Sequence, residues 1–129
     1  MRFRRWIRGA CLTAAAATAV VSGVVGAQER RVIRVTAERF AFTPSRIEID
    51  AGEEVELRIK SDDTSHGFRI VGLETNVAIP KRGKGELTVM LRVEQPGRYE
   101  FHCNRMCGAG HNFMRGELVV RERAAAGTR

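Results

Sequence analysis

Cysteine is scarce in this chain: three residues in 129, one of them, Cys11, inside an apolar stretch near the N-terminus. That leaves Cys103 and Cys107 for the rest of the molecule, and so at most one disulfide. Tryptophan occurs once, at Trp6, outside any strand pattern. No segment has a convincing helical period, no internal repeat is visible, and no linker divides the chain into two domains. No basic stripe with interleaved aromatics is present, which removes the main support for nucleic-acid binding. The run Lys81-Arg82-Gly83-Lys84 lacks the context of a phosphate loop and reads as a solvated turn.

The first 27 residues have their own character. Arg2, Arg4, Arg5 and Arg8 precede an uncharged Ala- and Val-rich run from Gly9 to Ala27, ending in Val25-Gly26-Ala27, which resembles a small-residue cleavage site. Two readings stay open, a cleaved signal peptide or an N-terminal membrane anchor. As a helix the run would span about 28 Å, barely a bilayer. Both readings place the following domain outside the cytoplasm, in the periplasm or on the outer face of the membrane. The segment carries four of the 22 basic residues and none of the 15 acidic ones, so 18 against 15 remain, or +3. The high isoelectric point is in part a targeting signature.

From Gln28 to Glu122 the pattern is strand after strand. Val55, Leu57 and Ile59 alternate with charged residues, and so do Ile47 and Ile49. Leu87, Val89, Leu91 and Val93 alternate before the turn at Gln95-Pro96-Gly97. Tyr99, Phe101 and Cys103 share a face, and 116–121 forms a last strand. Short strands at this spacing predict an all-β fold, a Greek-key antiparallel sandwich or barrel over 28–122, with 123–129 as a solvated, disordered tail.

Between the last two strands lies Cys103-Asn-Arg-Met-Cys107-Gly-Ala-Gly-His111-Asn-Phe-Met114. Two thiols, an imidazole and a thioether in one loop form a soft donor set that favours copper over calcium or magnesium. His66 lies on another loop, in Asp62-Asp63-Thr64-Ser65-His66-Gly67-Phe68, and loops at one end of a sandwich meet in space. Other readings compete: a Cys103–Cys107 disulfide, zinc held by two Cys and two His, or a single blue copper. The zinc reading does not need Met114, and a blue copper would need only one of the cysteines. His102 should point to the opposite face of its strand, exposed or behind the ligands. Met106, Phe68, Phe101 and Phe113 read as packing, Met90 as outward-facing, and Asp62 and Asp63 as turn residues, either of which could orient His66.

The loop, with His66-Gly-Phe68, Thr75-Asn-Val-Ala-Ile-Pro80 and Pro96-Gly-Arg-Tyr99-Glu-Phe101, resembles the cupredoxin family. Within it the chain is similar to the copper-A domain of cytochrome c oxidase subunit II. That resemblance implies a centre of two copper ions. Cys103 and Cys107 would bridge both, His66 and His111 would bind one each, and Met114 and the backbone carbonyl of Arg105 would be weak axial donors. It implies an electron carrier, not catalytic by itself, exchanging electrons with a c-type cytochrome or an oxidase or reductase subunit. Periplasmic copper binding or delivery without electron transfer is the alternative. The sequence departs from the oxidase pattern at Arg105, where the family usually carries Glu. It also lacks a counterpart of the aromatic motif that receives electrons from cytochrome c.

Overall fold

The computed structural model describes residues 29–124. The expected signal or anchor segment at 1–27, and 125–129 of the expected tail, lie outside the described residues. Nine strands form two sheets packed face to face. In chain order they are β1 (Arg31–Glu38), β2 (Ala41–Thr43), β3 (Arg46–Asp50), β4 (Glu54–Ser61), β5 (His66–Ile70), β6 (Asn76–Ile79), β7 (Leu87–Arg92), β8 (Gly97–His102) and β9 (Arg115–Arg121). One sheet has the order β2-β1-β4-β7 and the other β3-β9-β8-β5-β6. The single helical element among the described residues is a 3-10 turn at His111–Phe113. Among those residues no helix is long and apolar enough to cross a membrane.

The alternation read from the sequence sets which face each strand buries. Val55, Leu57 and Ile59 are fully buried, while Glu54 and Lys60 on the same strand face water. Ile47, Ile49, Leu118 and Val120 do the same for the other sheet. Three rings fill the middle: Phe42, Phe68 and Phe101, with centroids 5.2–5.5 Å apart. The Phe42 ring stands edge-on to the other two, the arrangement aromatic quadrupoles favour.

Two pairings are parallel: β1 with β4, and β3 with β9. Because β1 and β4 run the same way, their C-terminal ends reach the same pole. There Arg39, Ser61 and Asp63 meet the start of β5, where His66 pairs with Ile79 at the end of β6. The same pole receives the end of β8 and the start of β9, with His102 opposite Arg115. The soft-donor loop connects those two strands, so strand direction alone delivers it to His66. Met90 faces outward as expected, at 46% exposure. The strand β6 was not legible beforehand, because four residues carry too short an alternation.

Truncating Phe68→Ala should remove about 3–5 kcal/mol of stability in the metal-free domain, since the ring is fully buried. Met90→Ala should change it by no more than about 0.5 kcal/mol. Denaturant unfolding of both variants checks the contrast.

Candidate metal centre

The two thiols are free and buried, with their sulfurs 3.8 Å apart. His66, expected on a loop, is instead the first residue of β5 and fully buried. Its Nδ1 lies 3.9 Å from Cys103 Sγ. On the other side His111 Nδ1 is 3.7 Å and Met114 Sδ 3.8 Å from Cys107 Sγ. The carbonyl oxygen of Arg105 sits 3.0 Å from Cys103 Sγ. The donors anticipated from the sequence therefore gather around one pair of sulfurs. Donor atoms of His66, Cys103 and Cys107 lie within 4.8 Å of one another.

Local backbone geometry brings them there. Continuing the β5–β8 register, in which Arg69 pairs with His102, puts Gly67 against Asn104. The approach is so close that a Cβ at Gly67 would stand 1.9 Å from Asn104 Oδ1. Glycine lets the ligand loop lie on β5 and lets the Gly67 N–H donate to Cys103 Sγ at 3.4 Å. The loop closes on itself where the Cys103 N–H donates to the Met114 carbonyl at 3.0 Å. Asn104 Nδ2 donates to Asn76 Oδ1 at 2.6 Å, fastening it to β6.

A strap from the other sheet covers the loop, a feature the sequence reading missed. The Arg39 guanidinium Nε donates to the Cys107 carbonyl at 2.9 Å. Phe40 lies over Gly108 and Gly110, and a Cβ at Gly110 would stand 2.1 Å from its ring. The Arg39 backbone N–H also donates to Asp63 Oδ2 at 2.9 Å. The other carboxylate oxygen, Oδ1, is 2.7 Å from His66 Nε2 and accepts the Thr64 N–H at 2.7 Å. Asp63, one of two aspartates that could have oriented His66, is the one that does. Asp62 pairs with Lys60 at 3.0 Å instead. With Nε2 committed to Asp63, Nδ1 is left to face the sulfurs.

Burial alone would push the Asp63 carboxyl up, but hydrogen bonds from His66 and the Arg39 and Thr64 amides, with the His66 charge, outweigh it. The group is held at about 2. Cys107 moves the other way. Burial, then the hydrogen bond and charge of Cys103, push its thiol up to about 11.

Two further expectations fail. Phe113 and Met106, read as packing, are 80% and 77% exposed. Both lie in a tight loop whose inward positions are taken by donors, which leaves their side chains facing water. His102 is half-buried beside the centre, in a cavity of about 290 Å³ also lined by His111 and Asn112. Glu100 stands 3.4 Å from its Nδ1, yet off the bonding direction, so that nitrogen has no hydrogen bond.

The donor chemistry fits copper. A metal ion about 2.3 Å from each thiolate can sit between sulfurs this far apart. Two thiolates, two imidazole nitrogens and a thioether are soft or borderline donors, and among the described residues the donor cluster at the sulfurs, His66 with Cys103 and Cys107, contains no carboxylate.

Two outcomes follow for the metal-free protein. The Asp63 pKa is lowered from 3.8 to about 2, so its contribution to stability is complete above 3.8 and is lost as pH falls toward about 2. Asp63→Asn should abolish that part of the acid dependence, read from unfolding midpoints at a series of pH values. The ultraviolet thiolate band should show Cys107 ionising near pH 11, and metal uptake at neutral pH should release protons.

Comparison with known proteins gives a consistent family. A cupredoxin-like domain model matches residues 9–120. The chain is 38% identical over 91 residues to cytochrome c oxidase subunit 2 of Thermus thermophilus, covering 70% of this chain and 65% of that protein. A second subunit 2 from Thermus thermophilus matches at the same identity over 52% of its length. The chain thus spans between half and two-thirds of these relatives. Among solved structures, a heme-copper terminal oxidase dimer superposes with TM-score 0.63 at 27% identity, over 70% of this chain and 65% of that one. The periplasmic domain of subunit II from Bradyrhizobium japonicum also gives 0.63, at 12% identity over 71% and 84%. Auracyanin A, a blue copper protein from Chloroflexus aurantiacus, gives 0.57 at 16% identity over 72% and 100%. The last two likenesses concern the fold alone. With the family model spanning most of its length, the chain belongs to the cupredoxin-like family.

Proposed function

We propose that this domain is an exported electron carrier with a dinuclear copper centre of the copper-A type. Cys103 and Cys107 would bridge the two ions, with His66 and His111 as one imidazole each and Met114 and the Arg105 carbonyl as axial donors. One observation carries the reading: two unbonded thiols 3.8 Å apart, flanked on one side by His66 Nδ1 and on the other by His111 Nδ1 and Met114 Sδ. Copper bound there supplies one-electron storage spread over two metals and two sulfurs.

The rest is work for the chain. Asp63 fixes the His66 ring, and the Gly67 N–H polarises the Cys103 sulfur. The Arg39–Phe40 strap holds the loop against movement and covers it from water. Donors that cannot shift keep the geometry similar in both oxidation states, which makes electron exchange fast. Burial of both sulfurs, of Met114 and of His66 also favours retention of metal over hand-off to another protein. The arginine-led apolar run at 1–27, together with the similarity to oxidase subunit 2, supports a place in the periplasm or on the outer membrane face. There the domain would pass electrons between a c-type cytochrome and a heme-copper oxidase or similar reductase whose catalytic chain is another polypeptide.

The copper-loaded domain should give an electron paramagnetic resonance spectrum whose hyperfine structure reports one electron shared over two copper nuclei. Cys107→Ser should convert it to a single-copper pattern. A single-copper spectrum from the unaltered domain would sink the dinuclear assignment.

A further inference from the structure

Met106 and Phe113 are the two most exposed large hydrophobic side chains among the described residues, and both sit inside the ligand loop. Each immediately precedes a donor, Cys107 and Met114. Apolar groups left in water within one short loop are a feature of contact surfaces.

The charge around them is unbalanced in use, if not in number. Acidic groups at this pole are engaged: Asp63 on His66, Asp62 with Lys60, Glu100 beside Arg115 and His102. Glu86 lies close enough to Arg58 to raise its basicity. Of the acids near the site, Glu38 and Glu86 enter no ion pair among the described residues, Arg58 being paired with Glu56. By contrast Lys81, Arg82, Lys84 and Arg105 enter no ion pair among those residues. Arg105 belongs to the ligand loop itself, and the Lys84 N–H donates to the Lys81 carbonyl at 3.0 Å. Ile79 pairs with His66, so Lys81 leaves β6 at the His66 end. The Arg82 N–H donates to the Asp63 carbonyl at 3.0 Å and its Nε to the Asp62 carbonyl at 2.6 Å.

We infer that this pole is the docking face for a redox protein whose own docking face is acidic, with Met106 and Phe113 as the apolar contact and Lys81, Arg82, Lys84 and Arg105 as the basic rim. The inference rests on the electron-transfer reading above and names the kind of partner it serves. Each encounter moves one electron, the partner and the centre changing by one in opposite senses, with no atom exchanged. A second copy of this chain would bring the same basic rim and be repelled, and a basic partner would be repelled likewise.

The test uses the copper-loaded chain, its dinuclear spectrum recorded first, and two c-type cytochromes, one of net negative and one of net positive charge. At low ionic strength stopped-flow rates should be about tenfold faster with the negative cytochrome and should fall as salt is added. Lys81→Glu combined with Lys84→Glu should remove that preference. Met106→Ser with Phe113→Ser should slow exchange several-fold at every salt concentration, with spectrum and potential unchanged. An intact spectrum with faster exchange for the positive cytochrome, or with rates indifferent to these changes, overturns the docking face. So does salt-sensitive dimerisation of the chain in sedimentation. Absence of the two-copper spectrum overturns the copper reading instead, and the two failures are separable.

Discussion

Two buried sulfurs must stand side by side without bonding, and much of the structure answers that demand. Thiols in a dry site resist ionisation, as the raised Cys107 shows. A cation held between them reverses that preference, because it replaces the lost hydration with direct attraction. The scaffold therefore has to hold the pair apart and keep soft donors around it. It does so from strands rather than from mobile segments: His66 opens β5, and Cys103 and Met114 lie directly after β8 and before β9. The Arg39–Phe40 strap adds a clamp from the opposite sheet, so the loop is gripped from both layers.

Asp63 shows how a single carboxylate couples these parts. It accepts from the strap's backbone and its own turn, and it meets the imidazole of His66. A change at any of the three is felt by the ring that faces Cys103. The same carboxylate is spent on these inward partners and, among the described residues, pairs with none of the lysine or arginine side chains nearby.

Much of this was legible in the sequence, for particular reasons. The period-two alternation of Val55, Leu57 and Ile59 fixes which side is core, because a strand has only two faces. The spacing of Cys103, Cys107, His111 and Met114 survives as geometry because the loop is short and both ends are anchored in neighbouring strands. His66 was reachable only through the fold, as a loop expected at the same end of a sandwich. What stayed hidden depends on contacts distant in the chain. The strap at Arg39 and Phe40 is 68 positions from the Cys107 carbonyl it binds, and no local pattern announces it. Phe113 and Met106 were misread because hydrophobic character suggests burial by default, whereas a loop wrapped around donors has no interior left to offer. Parallel pairing of β1 with β4 and β3 with β9 likewise leaves no mark in alternation, which is identical for either direction.

The sheet edges carry one more consequence. The outermost strands are β2 and β7 in one sheet, β3 and β6 in the other. Two of them, β2 and β6, are only three and four residues long, and β6 runs into Pro80. On β3 the outward residues Arg46 and Glu48 are charged, and β7 ends on exposed Arg92. Such edges are poor templates for a further strand, so self-association by sheet extension is suppressed. A greasy tip can then stay uncovered at one end of the molecule, because the flanks do not polymerise.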